Sequence, residues 1–458
     1  MDRLAVLLIT LILFPIACTI STTEARPMII VPDNYSTVAS AIDHAMDGDI
    51  IFLKSGNYKE HTLVINKQLT LIGESNSLTS IENIDSNNES VPTDFPWTLP
   101  PVVAIEVRSN DVIITNLTIT GNQRFMPINA SADRVSIINN IFNPKSEGIT
   151  LQGNHNTIAY NTLAGQGHLG LNCNGSYNVI LNNDFSGLDN GAIFCRGSNN
   201  AILGNRFSGE RSSPTIDLFG SSNIIYENHV DPIDLLFSFN LGGSGNIIAR
   251  NNFTDGTIVL LDSNNSAIGN TIGVLDVIGI NHIVVANNVS YGVELGTTVD
   301  DASNITLYHN NFYFQPIEAR PIGDRIFEVW SAVKGPVFLD NGVEGNYWSD
   351  YSGHDANGDG IGDSPYIVMA NDSRNYEFAA VSDISNIVMT DYHPLMAAFD
   401  IRSISFELPP WVNSIPELAD LNPQVVYPIH IFASAGLLVA IASVAIAIVY
   451  RKKTHQGS

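Results

Sequence analysis

The sequence predicts an all-β fold, a right-handed parallel β-helix in which each turn takes about 22 residues. Three observations predict it: an asparagine-rich phrase recurs at nearly constant spacing, apolar and polar residues alternate around it, and the repeats contain no helical stretch. A unit of this length with short alternating strands cannot bury its apolar face alone. Successive units must therefore stack into one solenoid with a continuous core.

The repeated phrase consists of an Asn, an aliphatic residue two positions later, a second Asn and a large apolar residue. Its clearest copies begin at Asn178, Asn200, Asn223 and Asn246, and a weaker copy contains Asn116 as its second Asn. Asn tolerates the left-handed backbone of a tight turn, and its amide can bond the same amide on the next turn, about 4.8 Å away. We therefore interpret the Asn column as scaffold without a catalytic role.

The start of the body predicts a helix followed by strands. Residues 38–46 carry apolar side chains at helical spacing, so this helix would close the open N-terminal end of the core. A turn with its strand at 47–53, a tight turn at 56–58 and a strand at 69–74 come next.

This opening resembles that of pectin-lyase-type β-helix proteins. The asparagine-rich turns resemble the repeats of NosD-like and carbohydrate-binding/sugar-hydrolase (CASH) surface proteins of archaeal type. The resemblance covers residues 27–399. It implies the β-helix fold and a role in glycan recognition or, through the NosD-like accessory proteins, in metal-cofactor assembly. Such repeats are specific for fold and weak for activity.

Both ends predict an exported protein held in a membrane. Arg3 precedes a short apolar stretch typical of a signal peptide, with a lipid-modified Cys18 or an uncleaved anchor as alternatives. Residues 431–450 contain no charge and are followed by Arg451 and two lysines, which predicts a transmembrane helix with a cytoplasmic tail. The body would then lie outside the cell or in the periplasm.

The predicted domain boundaries follow from these signals. They are a signal peptide at 1–25, the β-helix at 26–315, a C-terminal cap at 316–400, a Pro-rich linker at 401–427, the transmembrane helix at 428–450 and the tail at 451–458.

The charge balance restricts the partners. The chain has 46 acidic and 21 basic residues and a net charge of −25, which repels nucleic acid phosphates. We predict glycans or other components of the cell envelope as partners, the membrane through the C-terminal helix, and no nucleic acid. Several Asn-x-Ser/Thr sequons are compatible with glycosylation of an exported protein.

Aligning the repeats on their first Asn predicts which side chains of the preceding strand point outward. Residues that flank an outward position, such as Leu171 and Cys173, are apolar and point inward. The outward residues combine amides, a carboxylate, a guanidinium and aromatic rings, as a sugar-binding strip requires. An ordinary solvated sheet face is the alternative. The candidate ligand-binding residues are Gln152, Asn172, Asn174, Phe194, Arg196, Asp217, Phe219 and Asn240.

No complete catalytic constellation is visible in the sequence. Glycoside hydrolysis requires two carboxylates within about 5–10 Å, and the aligned units show no adjacent carboxylate pair on the strand face. Asp189, Arg196 and Asp217 are the weak candidates. Copper binding is not expected, because the 11 His are scattered and no His-x-His occurs.

Cys173 and Cys195 are 22 residues apart, at the same inward position of consecutive turns. Their predicted spacing lies within the disulfide range, but in-register stacking would strain the bond. We favour two stacked buried thiols over a disulfide.

The segment at 355–363 resembles the first three quarters of a calcium loop. Hard oxygen ligands would come from Asp355, Asn357, Asp359, the carbonyl of Ile361, and Asp363. The twelfth position, a Glu in calcium loops, is a Tyr here. Asp350 could complete the shell. A polar hairpin without metal is the alternative, and the predicted role is to stiffen the cap.

The predicted function is therefore a cell-surface β-helix protein that binds glycans or envelope components without catalysis. The first alternative is a polysaccharide lyase, hydrolase or epimerase acting on acidic or neutral glycans. The second is a NosD-like accessory protein for metal-cofactor assembly.

Overall fold

The computed structural model describes residues 28–85, 100–122, 124–165, 167, 169–188, 191–208, 216–231, 238–296, 302–313, 327–329, 335–369 and 388–413. The predicted signal peptide and transmembrane segment lie outside these ranges. Among the described residues, no helix has the length and apolar character of a membrane span. The chain forms two units, Met1–Ile404 and Ser405–Ser458, and the described part of the second contains the short helix Pro410–Asn413.

The first unit is an all-β parallel solenoid, which confirms the predicted class of fold. A typical turn contributes three short strands. The first strand of each turn joins a 14-stranded parallel sheet. The second and third strands form two parallel series that belong to one 22-stranded sheet, because three long strands continue around the corner between them.

The 14-stranded sheet consists of β1 (Ile29–Val31), β2 (Asp49–Leu53), β5 (Leu69–Gly73), β8 (Ile113–Thr115), β11 (Ser136–Ile138), β14 (Thr157–Ala159), β17 (Val179–Leu181), β20 (Ala201–Leu203), β23 (Ile224–Tyr226), β26 (Ile247–Ala249), β28 (Ser266–Ile268), β31 (Ile283–Val285), β34 (Ile305–Tyr308) and β37 (Val337–Phe338).

The second series consists of β3 (Gly56–Glu60), β6 (Thr79–Asn83), β9 (Thr118–Thr120), β12 (Ile141–Phe142), β15 (Thr162–Ala164), β18 (Asp184–Ser186), β21 (Arg206–Ser208), β24 (His229–Val230), the first halves of β27 (Asn252–Leu260), β29 (Thr271–Val277) and β32 (Asn288–Leu295), and β35 (Asn311–Phe312) and β38 (Tyr347–Trp348).

The third series consists of β4 (Leu63–Ile65), β7 (Val102–Val107), β10 (Phe125–Ala130), β13 (Glu147–Gln152), β16 (Leu169–Asn174), β19 (Ile193–Arg196), β22 (Ile216–Phe219), β25 (Ser238–Gly242), the second halves of β27, β29 and β32, and β36 (Phe327–Val329). The remaining strands are the parallel pair β30 (Gly279–Ile280) and β33 (Ala302–Ser303) and the antiparallel pair β39 (Tyr366–Met369) and β40 (Val388–Asp391).

The core consists of like residues stacked turn on turn. Ile149, Leu171, Ile193 and Ile216 are in register on four successive third strands, and each is at most 1% exposed. Apolar residues at these alternate positions point inward because strand side chains alternate between the two faces. The inward pairs predicted from the repeats are therefore confirmed.

Buried asparagines form a hydrogen-bonded column beside the first sheet. In the clearest part, Nδ2 of Asn183 donates to Oδ1 of Asn205 at 3.0 Å, and Nδ2 of Asn205 donates to Oδ1 of Asn228 at 3.0 Å. Each amide also accepts a backbone N–H from the preceding turn, as at Asn183 N, 2.9 Å from Asn205 Oδ1. A second column contains Asn178 and Asn200 and binds the backbone in the same way.

Two details of the predicted Asn column were wrong. The left-handed residue at the corner is the one before the column Asn, for example Asn182 with a φ of 51°. Asn116 occupies this left-handed position, so the column position on its turn is Leu117, whose N–H donates to Asn140 Oδ1 at 3.0 Å. The column Asn points inward because its amide satisfies buried backbone groups, whereas the turn itself is made by its neighbour.

A short helix, α1 (Val38–His44), lies near the N-terminal end of the solenoid. Thr37 caps it by accepting the Ser40 N–H, and Val38, Ala41 and Ile42 are buried in the core. The predicted helix is confirmed.

At the C-terminal end the ladder continues past residue 315. β36, β37 and β38 pair with strands of the preceding turn, and Asn310 Nδ2 donates to Asn346 Oδ1 at 2.9 Å. The next acceptor is a carboxylate, since the Asn346 N–H and the Trp348 indole N–H both donate to Asp391 Oδ2 at 2.8 Å. Burial raises the pKa of Asp391, and these N–H groups oppose that rise.

Cys173 and Cys195 are in register on β16 and β19, as predicted. Both are buried and both are free cysteines in the structure. Contact with Cys173 and burial raise the pKa of Cys195, which keeps the thiol protonated and unreactive.

Candidate functional site

The outward residues of the third strand series form one straight line across the turns. We call this line the outer column; its members in backbone register are Val64, Glu106, Asn129, Thr150, Asn172, Phe194, Asp217, Asn240, Val259, Asp276, Glu294 and Glu328. In-register neighbours on parallel strands are about 4.8 Å apart. The column therefore offers a series of side chains at nearly regular spacing along the molecule.

A second line runs beside it, two residues further along each strand. This companion column consists of Gln152, Asn174, Arg196 and Phe219. The structure thus brings all eight predicted ligand-binding residues onto one surface. Of the predicted catalytic candidates, Arg196 and Asp217 lie on this surface, and Asp189 lies outside the described residues.

The aromatic part of this surface contains Phe194 of the outer column and Phe219 of the companion column. The Arg196 guanidinium carbon is 4.7 Å from the centre of the Phe194 ring, a cation–π contact. The Phe194 and Phe219 rings are 5.9 Å apart and tilted by 54°. Phe219 is 40% exposed, which is unusual for an aromatic ring and leaves an apolar face available to a ligand.

Asp217 and Asn240 form the polar part. Asn240 Nδ2 donates to Asp217 Oδ1 at 2.7 Å. Burial raises the pKa of Asp217, and the bond from Asn240 opposes the rise. This Asp is therefore held in place by its neighbour on the next turn.

Asp276 and Glu294 form a carboxylate pair that the sequence-based prediction missed. They are in register on β29 and β32, on the outer column, so the prediction that no adjacent carboxylate pair lies on the strand face was wrong. Burial, and secondarily the charge of Glu294, raise the pKa of Asp276 to about 8. Its Oδ1 is buried and has no hydrogen-bond partner among the described residues.

The pair escaped detection because the repeat changes just after it. The alignment used the first Asn of each phrase, and on this turn the position is held by His282. Counting back from His282 by the same intervals gives Leu275 and Val277, the inward residues that flank Asp276. An alignment that accepted His in the Asn column would have found the acid.

The loop at 355–363 is folded tightly around one carboxylate. Asp355 Oδ1 accepts the Gly358 N–H at 2.6 Å, and Asp355 Oδ2 accepts the Gly360 N–H at 2.9 Å. These N–H groups, that of Gly360 most strongly, lower the pKa of Asp355. The Ala356 N–H donates to Asp363 Oδ2 at 2.7 Å. Within the described ranges, no three His, Cys, Asp or Glu side chains converge as a metal site.

The other predicted ligands of this loop lie close in sequence and bond to each other. Asn357 Nδ2 donates to Asp359 Oδ2 at 2.9 Å, and Asp359 Oδ1 accepts the Ile361 N–H at 2.9 Å. Asp350 is engaged by Tyr366, whose pKa is raised by burial and by that carboxylate.

No family model and no curated protein matches the sequence. Among solved structures, the PL6 family alginate lyase AlyGC is 13% identical, with 70% of this chain and 51% of that chain covered and a TM-score of 0.49. The catalytic domain of a GH87 alpha-1,3-glucanase in complex with nigerose is 14% identical, with 71% and 70% covered and a TM-score of 0.46.

The A-module of the mannuronan C-5 epimerase AlgE4 of Azotobacter vinelandii is 14% identical, with 66% of this chain and 94% of that chain covered and a TM-score of 0.38. These neighbours are pectin-lyase-like β-helix proteins. At such identities and TM-scores, none of their activities transfers to this chain by likeness.

Proposed function

We propose that the protein binds a neutral glycan along the outer and companion columns and hydrolyses it at the Asp276–Glu294 pair. The observation that carries the proposal is the pair itself, two carboxylates on adjacent turns of the outward-facing side of one sheet. Two neighbouring carboxylates cost stability, because like charges repel and burial penalises ionisation. A buried acid oxygen without a partner adds to that cost.

The two acids are suited to different roles. With a pKa of about 8, Asp276 carries its proton at neutral pH and acts as the general acid that protonates the glycosidic oxygen. Glu294 is the carboxylate that attacks the anomeric carbon as the glycosidic C–O bond breaks. Water, deprotonated by Asp276, then hydrolyses the resulting glycosyl ester and restores both acids. The backbones of adjacent strands lie about 4.8 Å apart, which allows the two carboxyl groups to reach the separation of about 5–5.5 Å that retaining glycosidases use.

The charge of the chain favours a neutral substrate. A net charge of −25 and a carboxylate pair at the reaction centre repel polyuronates, the substrates of lyases and epimerases that abstract a proton beside a carboxylate. The aromatic rings of Phe194 and Phe219 and the amide of Asn240 bind uncharged sugar rings and hydroxyl groups. Asp217 and Asp276 are three turns apart on the column, about 14 Å, a distance that a short oligosaccharide spans.

Glycan binding without catalysis is the second candidate, and the aromatic part of the surface favours it. Phe219, Phe194 and Arg196 form a contact surface several turns from the carboxylate pair. Export and a membrane anchor at 428–450 stay predictions from the sequence. We keep calcium as the proposed ion of the 355–363 loop, because its oxygen-bearing side chains follow the spacing of a calcium loop.

The test measures the release of reducing ends from a panel of neutral polysaccharides by the full-length protein in detergent. Asp276→Asn and Glu294→Gln should each lower kcat by about 10²–10⁴-fold, the usual contribution of an acid or base. Glu106→Gln is the matched control, because Glu106 lies on the same column but pairs with Arg108 at 2.7 Å. Binding of the same glycans should survive in all three variants.

Two outcomes would contradict the proposal. Hydrolysis that persists in the Asp276→Asn, Glu294→Gln double variant would exclude the pair as the reaction centre. Glycan binding that is lost in Phe219→Ala, without hydrolysis by the unmodified protein, would support the second candidate instead.

A further inference from the structure

Residues 399–404 cross the outer surface of the solenoid on the face of the second strand series, away from the outer column. Asn311 Nδ2 donates to the Phe399 carbonyl at 2.9 Å, and the Phe399 N–H donates to Asn311 Oδ1 at 2.7 Å. At the other end, the Arg250 guanidinium donates to the Ile404 carbonyl at 3.3 Å. The segment is therefore fixed at both ends, and we call it the strap.

A cavity of 590 Å³ lies between the strap and the solenoid. Its floor contains Asn252, Thr271, Asn288 and Asn311, which are in register on four successive turns. Asn311 Nδ2 donates to Asn288 Oδ1 at 2.7 Å, so part of the floor is already ordered. The volume falls within the range of about 300–1,000 Å³ found for small-molecule sites.

The charged side chains of the cavity balance each other. Its walls contain Arg250 and Arg402 together with Glu227 and Asp400. Arg250 Nη1 lies 4.0 Å from Glu227 Oε1. The net charge of the chain is −25, so most of its surface attracts cations. The cavity does not, because its own positive and negative side chains balance.

Two aromatic residues complete the lining. The Phe399 ring stacks on His309 with 4.2 Å between centroids, which fixes its orientation. Burial raises the pKa of Tyr313, so its hydroxyl stays a hydrogen-bond donor at all physiological pH values. The cavity thus combines ordered amides, charged groups of both signs and aromatic surface.

We propose that the cavity binds one or two residues of a neutral saccharide, at a site independent of the outer column. Amides, guanidinium and carboxylate groups together donate to and accept from neighbouring hydroxyl groups, and aromatic rings cover the apolar faces of a sugar. A simple ion would meet charges of both signs. The site is on another strand series from the Asp276–Glu294 pair, so its occupation does not require hydrolysis.

The experiment titrates the full-length protein with glucose, galactose, mannose, N-acetylglucosamine and cellobiose, using saturation-transfer NMR and calorimetry. At least one sugar should bind, and Asn288→Ala and Arg402→Ala should each weaken it about tenfold, the loss expected for one hydrogen bond to a ligand. Ile401→Trp, which fills the cavity from the strap, should abolish binding. Asn304→Ala is the control, because Asn304 also forms a ladder bond, at 2.7 Å to Asn281, but outside the cavity.

Thermal unfolding of each variant establishes that it is folded before its affinity is compared. Failure of every sugar to bind, or equal binding by all the cavity variants, would overturn the proposal. So would tighter binding of inorganic phosphate than of any sugar. Binding that is lost in Phe219→Ala but kept in Ile401→Trp would assign the sugar to the outer and companion columns, and hydrolysis data would remain a separate test of those columns.

Discussion

His282 replaces an asparagine in the second Asn column and reproduces its bonds. Its Nδ1 accepts the Asn265 N–H at 3.2 Å, so the proton is on Nε2, which donates to the Ile278 carbonyl at 3.1 Å. Asn265, on the preceding turn, donates from Nδ2 to the Leu261 carbonyl, which is likewise four residues earlier. The imidazole can do this only when neutral, and burial lowers the pKa of His282 accordingly.

This substitution predicts acid sensitivity. Because the folded protein binds the His282 proton less well than the unfolded chain, its contribution to stability is complete above pH 6.5 and is lost as the pH falls below it. Between pH 6.5 and 5 the loss should be at most about 2 kcal/mol. The His282→Asn variant should not show this loss of stability, as measured by urea unfolding at each pH.

The Asp276 carboxyl has the opposite effect, since its raised pKa makes stability fall as the pH rises toward about 8. Asp276 contributes equally to both proteins. The difference in unfolding free energy between His282→Asn and the unmodified protein at each pH therefore reports on the histidine alone. Identical pH profiles would show that His282 is not the source of acid sensitivity.

The sequence predicted the positions of individual residues wherever the repeat is regular. The positions of Asn172, Phe194 and Asp217 followed from regular spacing, and the structure places them in one column. Asp276 and Glu294 were hidden because a His replaced the Asn used for alignment on one turn. On the next turn the residue six positions after Glu294 is Asp300, so the Asn used for alignment is missing there as well.

Among the elements, the loop at 355–363 is joined to the C-terminal segment through the backbone. The Gly362 N–H donates to the Pro394 carbonyl at 2.8 Å, and the Met396 N–H donates to the Gly360 carbonyl at 3.0 Å. The loop is therefore bonded to residues 394–396, which follow the strand that ends at Asp391.

Calcium binding to this loop predicts a dependence of stability on free metal. Excess chelator should lower the melting temperature by several degrees, because an ion bound to the folded state alone stabilises it. The Asp355→Ala variant should have the lower melting temperature even without chelator, and chelator should not lower it further. Asp43→Ala, an exposed acid on α1, is the control and should respond like the unmodified protein. An unchanged melting temperature in chelator would mean that the loop is a metal-free hairpin.

The candidate ligands of this loop could be named from the sequence, whereas its contacts with the rest of the fold could not. Spacing of oxygen ligands is a local pattern, so Asp355, Asn357 and Asp359 could be named directly. That Tyr366 engages Asp350, or that Asp391 receives the Trp348 indole, depends on contacts across the fold, and nothing in the local sequence specifies them.

At the scale of the whole molecule, the net charge of −25 predicts a stabilising effect of salt. Repulsion among surface carboxylates opposes the folded state, and screening weakens it. Raising NaCl from about 0.05 M to about 1 M should raise the melting temperature at pH 7.5. Near pH 4.5, the isoelectric point, the same salt should have little effect. An equal rise at both pH values would point to a general salt effect and not to charge screening.

The overall fold was predictable because one rule repeats. Each turn needs apolar residues at alternate positions and an inward-pointing Asn beside the corner. Because this pattern repeats, a departure from it on one turn does not change the predicted fold. The course of the strap could not be predicted, since its hydrogen bonds join Asn311 to Phe399, 88 residues apart, and occur once.

The ladder of buried asparagines also gives the solenoid an electrical direction. Each amide donates toward the next turn, so the amide dipoles align and their positive ends face the C-terminal end of the column. At this end, the Asn346 amide donates to the Leu307 and Leu339 carbonyls, and the Asn346 backbone N–H donates to the buried carboxyl group of Asp391. An additional turn would have to displace that carboxyl group, because it occupies the position in which the next Asn of the column would accept this N–H.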